Sequence, residues 1–145
     1  IDEVRSAGAS TRLLRDGDVA GGIQAAQASS RIDFCMGRGG SPEGVITACG
    51  VKALGGQIQG ILAPSSELEI SNAAAAGLIL DKVYQMDELV NSDNTFFVAT
   101  GVTDGPLAAG VRKHSGLVLT ESIVIRGKTG TVRKILAEYQ ANSWM

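Results

Sequence analysis

The sequence predicts an α/β protein, a layered fold built on a mixed sheet. Two observations carry this: short apolar strand candidates alternate with Ala-rich helical segments early in the chain, and two longer β-patterned runs close it as a hairpin. A third, 19 glycines against 3 prolines in 145 residues, predicts many tight turns or ligand-facing loops on that scaffold. With 44% hydrophobic and 19% charged residues, the chain has the apolar material for one compact unit with its own core. No internal repeat, linker or second domain is evident.

Residues 1–8 read as a helix already under way, closed by Gly8. Residues 11–14 are a short strand candidate running into the turn Arg15-Asp16-Gly17-Asp18, and an Ala-rich helix follows over 19–28. Gly21 and Gly22 each lower that helix's propensity by about 1 kcal/mol relative to Ala, which marks them as points of close packing. Residues 32–36 form a second strand, ending in the loop Gly37-Arg38-Gly39-Gly40. The next helix carries the clearest signals. Ser41 suits the N-cap, Pro42 the first helical position and Glu43 the positive end of the helix dipole, and Gly55-Gly56 stops the helix after Leu54. A strand over 57–62, a helix over 67–76, a helical turn over 86–90 and a buried strand over 95–99 follow. Pro106 opens a short helix beyond the loop 100–105. Residues 117–126 and 131–139, joined by Gly127-Lys128-Thr129-Gly130, form the hairpin.

Composition excludes several functions. A formal net charge of −2 and a sequence pI near 5.3 leave no basic field for nucleic acid or an anionic membrane, and 4% aromatics leave few platforms for bases. No apolar run approaches the roughly 20 residues of a membrane span, and no signal-peptide pattern opens the chain, so a cytoplasmic protein is expected. Cys35 and Cys49 sit in apolar segments and read as buried, inert thiols rather than a disulfide.

Two glycine-rich segments fail as nucleotide motifs on spacing. Pro42 stands where the G-x-G-x-x-G pattern needs its last Gly, and Ser122 where a P-loop ending at Gly127-Lys128-Thr129 needs its first. His114 has no local Cys or second His for a zinc site and reads as solvated, while Arg126, Lys128 and Arg133 read as charges on an exposed hairpin. What remains is acids and glycines. The loop leading to Glu43 presents bare backbone N–H groups and a positive dipole end to an anion, with Glu43 either a dipole-complementing surface acid or a functional group. Asp16-Gly17-Asp18, between a strand and a helix, is either a common Asp-Gly turn or a pair of carboxylates for sugar hydroxyls or a hard cation. The mild negative charge is compatible with a phosphorylated substrate, because a bound divalent cation reverses the local sign.

From Gly37 to Gly44, and on through Ile46-Thr47-Ala48 and Leu54-Gly55-Gly56, the chain resembles the class II, glycerol-operon type fructose-1,6-bisphosphatases. That family's hallmark is a Gly-Gly-small-Pro-Glu-Gly loop before an Ala-rich helix ending in Gly-Gly. Ile1-Asp2-Glu3-Val4-Arg5, Asp16-Gly17-Asp18, Gln59-Gly60, Thr100-Gly101-Val102-Thr103-Asp104-Gly105 and Arg126-Gly127-Lys128-Thr129-Gly130-Thr131-Val132-Arg133 extend the resemblance over nearly the whole chain. It implies the layered fold of the lithium-sensitive sugar phosphatases and Mg2+- or Mn2+-dependent hydrolysis of the 1-phosphate of fructose 1,6-bisphosphate in gluconeogenesis. Sedoheptulose 1,7-bisphosphate is the other candidate substrate. It also implies a metal-binding role for Glu43, substrate-binding roles for Asp16, Gly17, Asp18 and Gly40, and a homo-oligomer.

Arg38, Pro106 and Gly127 depart from the family pattern, which puts fine specificity in question. The largest departure is an absence: the family's Asp-Pro-x-x-Gly-Thr metal motif belongs to an N-terminal half and does not occur in this sequence. The chain is therefore expected to be the C-terminal portion of such an enzyme, inactive alone and exposing apolar surface that favours self-association. The competing expectation is a non-catalytic phosphosugar-binding or assembly module derived from one.

Overall fold

The computed structural model describes residues 1–141. In chain order the elements are α1 (Asp2–Ser6), α2 (Asp18–Ala26), α3 (Ser41–Ala53), β1 (Gly60–Ile61), α4 (Glu67–Ala75), β2 (Val83–Tyr84), α5 (Met86–Leu89), β3 (Phe96–Thr100), β4 (Arg112–His114), β5 (Leu117–Arg126) and β6 (Thr131–Gln140). A single 3-10 turn, Gly127–Thr129, joins the last two strands.

The main sheet is organised around β5. β6 pairs along all ten of its residues, from Leu117↔Gln140 to Arg126↔Thr131. On the opposite edge β3 takes the second half, Phe96↔Arg126 to Thr100↔Ser122, and β4 the start, Arg112↔Leu119 to His114↔Leu117. The short β1–β2 pair forms a separate two-stranded ladder. The α/β class stands, but every ladder among the described residues is antiparallel, so the expected mixed sheet is not what these strands form. The reason lies in residues 11–14 and 32–36. Both run without strand structure, and Phe34 and Met36 are 72% and 78% exposed. An extended segment becomes a strand only when a neighbour takes up its backbone hydrogen bonds, and neither segment has one here.

α3 lies against one sheet face and organises the core. Ile23 of α2, Ala48, Val51 and Ala53 of α3, Met86 and Val90 around α5, and Phe97, Ile123 and Ile125 of the sheet form one buried cluster. Because side chains alternate along a strand, Phe97 points in while Phe96 and Val98 point out, at 55% and 62% exposure. The strand expected to be buried throughout is buried on one face only. Lys52 pins the end of α3 by donating to Asp87 Oδ1 at 2.8 Å and the Val90 carbonyl at 2.7 Å. The Asp87 hydrogen bond, with help from Asp93, holds the Lys52 ammonium above the ordinary lysine range.

The helix boundaries follow capping chemistry closely. Gly40, rather than Ser41, is the N-cap of α3, and Pro42 stands at the second helical position. At the other end Gly55 adopts φ +78, and the Gly56 and Gly55 amides donate to the Val51 and Lys52 carbonyls at 2.9 and 3.0 Å. This is the Schellman closure that a Gly-Gly pair predicts. Ser66 caps α4 by accepting from the Glu69 amide at 3.3 Å.

No helix forms at Pro106. The Gly105 amide donates to the Ala108 carbonyl (3.1 Å), the Gly110 amide to Asp104 (2.9 Å) and the Ala109 amide to Glu121 (3.1 Å), so the loop's donors are satisfied without one. β4, which no sequence signal marked, forms just beyond it.

The chain is open for its size. Its accessible surface is 10409 Å2, against about 7,000 Å2 for a compact monomer of 14.9 kDa. The expectation of a self-contained core is thus met only around α3, whereas Leu13, Phe34, Met36 and Ile46 remain more than half exposed. Among the described residues no helix is long and apolar enough to cross a membrane.

Candidate functional site

The two acid-and-glycine motifs are brought together by the packing of α2 on α3. A Cβ at Gly22 would collide with the Thr47 methyl, one at Gly50 would collide with Ile23 Cδ1 and lie 3.0 Å from the Phe97 ring, and one at Gly56 would sit 3.0 Å from Ala26 Cβ. These contacts advance in the same direction along both helices, so α2 and α3 run side by side with their N-termini at one end. Gly21 is close-packed against other segments: a Cβ there would lie 2.6 Å from Leu14 Cδ1 and 3.3 Å from Cys35 Sγ. The close packing predicted for Gly21-Gly22 is therefore observed.

At the shared end the motifs touch. Gly17 occupies the N-cap of α2 with φ 87, a left-handed conformation that glycine adopts without penalty, and Asp18 is the first helical residue. The Asp18 carboxylate oxygen lies 3.1 Å from where a Gly39 Cβ would be. Glu43, three residues after the Gly40 N-cap, folds back so that any side chain at Gly40 would collide with its carboxylate. Asp16, Gly17, Asp18, Gly40 and Glu43 are all solvent-exposed. The structure thus brings the Asp16-Gly17-Asp18 and Gly40–Glu43 motifs to two adjacent helix N-termini, whose N–H groups and dipoles both favour an anion.

Neighbouring groups shape this end. Cys35, expected to be buried, is exposed; Cys49 is half-buried, and both are free thiols. Partial desolvation and then the Asp18 charge push the Cys35 thiol above its ordinary range, which keeps it in the unreactive form. Arg38, the departure from the family pattern, donates to the Ala63 carbonyl at 2.6 Å. It ties the glycine loop to the segment after β1, a role no local pattern announced.

The loop 100–108 borders a pocket of about 170 Å3 that also includes Ala20, so this second glycine-rich segment lies beside the first turn of α2. Asp104 clips it by accepting from Gly110 and, at 3.4 Å, from Arg112. Those bonds, the Gly110 amide first, hold its carboxyl below the ordinary aspartate range. A lowered folded value means the clip stabilises the loop above the ordinary aspartate pKa and is lost as pH falls through the lowered one. The Gly110 amide should therefore stay protected at mildly acidic pH and exchange freely only in stronger acid. Asp104→Asn should remove that pH dependence, as read by hydrogen exchange.

Arg126 is half-buried, not a free hairpin charge, and its guanidinium lies 5.1 Å from the Phe96 ring centroid. Lys128, Arg133 and His114 are exposed as expected. Among the described residues no three His, Cys, Asp or Glu side chains gather closely enough to hold a metal ion. Glu43 offers one carboxylate, and a catalytic divalent centre needs several oxygen ligands, so these residues by themselves do not fit one.

Fold and site together define a class: an α/β protein presenting exposed carboxylates and bare glycine backbone at paired helix N-termini. Comparison with known proteins narrows it. Residues 1–139 match the family model described as bacterial fructose-1,6-bisphosphatase, glpX-encoded, and the chain belongs to that family. It is 38% identical to fructose-1,6-bisphosphatase class 2 of Haemophilus influenzae and 34% identical to fructose-1,6-bisphosphatase 1 class 2 of Escherichia coli strain K12. Each match covers 93% of this chain and 44% of the relative, so the chain spans under half the length of the curated relatives it matches.

Proposed function

We propose that the chain forms the substrate-facing part of a class II fructose-1,6-bisphosphatase, the C-terminal portion of an enzyme that hydrolyses the 1-phosphate of fructose 1,6-bisphosphate to fructose 6-phosphate and phosphate. Sedoheptulose 1,7-bisphosphate presents the same terminal phosphate and sugar hydroxyls and is the second substrate of this reading. The observation that carries it is the meeting of Asp18 with Gly39 and of Glu43 with Gly40 at one end of the α2–α3 pair. In this reading Asp16 and Asp18 accept hydrogen bonds from sugar hydroxyls, Gly17 gives the turn its left-handed conformation, and Gly40 leaves the backbone open to the substrate. Glu43 contributes one ligand to an Mg2+ or Mn2+ site whose other ligands lie outside this chain. The polypeptide alone is accordingly inactive, works in the cytoplasm as part of a homo-oligomer, and serves gluconeogenesis.

The absence of a three-ligand cluster among the described residues also favours a second reading, a phosphosugar-binding or assembly module without catalysis. Titrating the chain with fructose 1,6-bisphosphate in metal-free buffer should shift the Asp18 and Gly40 amide resonances, and Asp18→Asn should weaken that response severalfold. Silence at both positions at millimolar ligand would sink the substrate-binding assignment. Turnover by the purified chain with Mn2+ would overturn its inactivity.

A further inference from the structure

The segment Thr100-Gly101-Val102-Thr103-Asp104-Gly105 has no part in the substrate contacts assigned above, yet it stands next to them. Ala20 of α2, two residues and about 3 Å along the helix axis beyond Asp18, shares a pocket of about 170 Å3 with residues of the stretch 99–108. The pocket is small. Sites that hold a whole small molecule measure about 300–1,000 Å3, so this one fits part of a ligand whose remainder lies elsewhere, and the adjoining carboxylates of Asp16 and Asp18 are where that remainder can sit.

The lining decides which part. Ala20, Ala99, Leu107 and Ala108 contribute carbon, Thr100 and Thr103 bring hydroxyl-bearing side chains, and no lining residue carries a charge. A phosphate group finds no counter-charge in such a pocket, whereas the uncharged carbon chain of a sugar, with C–H groups and hydroxyls side by side, matches both components. Of the two threonines, Thr100 already shares a hydrogen bond with Ser122 (2.8 Å), while Thr103 is exposed. We propose, resting on the phosphatase reading, that this pocket is a subsite for the neutral carbon chain of the sugar phosphate. Thr103 bonds a sugar hydroxyl there and so helps to set which sugars are accepted.

The wall of the subsite is fixed in advance. Glu121 ties both ends of the loop to β5: its backbone carbonyl accepts from the Gly101 amide at 3.0 Å and its carboxylate from the Ala109 amide at 3.1 Å. The Val111 amide donates to the Val102 carbonyl at 3.2 Å. The two limbs of the loop touch so closely that a Cβ at Gly101 would collide with the Ala109 carbonyl oxygen, and one at Gly110 would lie 2.7 Å from the Thr103 carbonyl carbon. A preformed wall avoids the ordering cost that a mobile loop incurs on binding.

Titrating the intact chain with fructose 1,6-bisphosphate should shift the Thr103 and Ala108 amide resonances at the same midpoint as those of Asp18 and Gly40. Inorganic phosphate, which lacks the carbon chain, should leave Thr103 and Ala108 unmoved. Thr103→Val keeps the shape and removes the hydroxyl, so it should weaken bisphosphate binding about fivefold at an unchanged urea midpoint. Ala20→Leu, which keeps a good helix former and fills the pocket, should abolish the response at Thr103. Shifts at Asp18 and Gly40 with none at Thr103 or Ala108, a Thr103→Val variant that binds the bisphosphate as tightly as the wild type, or a Thr103 response to phosphate equal to that for the sugar would overturn the subsite and leave the phosphatase reading standing. Silence at all four positions would overturn both.

Discussion

Glu43→Gln, in an intact fructose-1,6-bisphosphatase carrying this chain, is expected to lower turnover on the order of a thousand-fold, or about 4 kcal/mol of transition-state stabilisation. The substitution keeps the shape and volume of the side chain and removes only its charge, which a hard cation's ligand set requires. Glu43 is exposed and N-terminal in α3, so the fold should persist: a surface acid at a helix N-terminus is worth only about 0.3–1 kcal/mol of stability. That gap separates the two roles open to Glu43. If turnover is retained and stability falls by a few tenths of a kcal/mol, Glu43 is a dipole-complementing acid and the ligand assignment is lost. Gly40→Ala is the companion variant, since its methyl would displace the Glu43 carboxylate without touching the charge.

Gly50→Val should be the most damaging substitution in the scaffold. Position 50 is buried where α2, α3 and β3 meet, and even a Cβ there collides with Ile23 and crowds the Phe97 ring to 3.0 Å. Ile23 is fully buried and Phe97 nearly so, so neither can swing into solvent. Overpacking of this kind costs about 1–3 kcal/mol, and a branched side chain belongs at the upper end. The urea midpoint should fall accordingly, with Gly50→Ala intermediate. A midpoint unchanged by the valine would mean that the helices separate easily and that the glycine seam does not position the site.

The helices and the hairpin were legible because their signals are local. Pro42, Glu43 and Gly55-Gly56 bracket α3 almost to the residue, and the β-patterned runs give β5 and β6. Strands that depend on a distant neighbour were not. Residues 11–14 and 32–36 have the composition of strands but no ladder, while β4, a polar Arg-Lys-His segment without strand composition, is one because β5 pairs with it. The site was readable as two motifs, Asp16-Gly17-Asp18 and Gly40 to Glu43, but their contact was not, because it is made by glycines in the helices behind them. Arg38 carries no local signal either, since its partner is a backbone carbonyl 25 positions away.

The glycine seam fixes the angle at which α3 leaves the core. From Gly50 to Glu43 runs a rigid arm of about 10 Å at the helical rise of 1.5 Å per residue, so a tilt of about 5° at the seam swings the Glu43 end by roughly 0.9 Å. Displacement on that scale is enough to spoil a reacting geometry. On the proposed reading, changes in volume at Ile23 or Phe97 would be magnified at the far tip of α3, so substitutions at the seam would move Glu43 while leaving every acid in place.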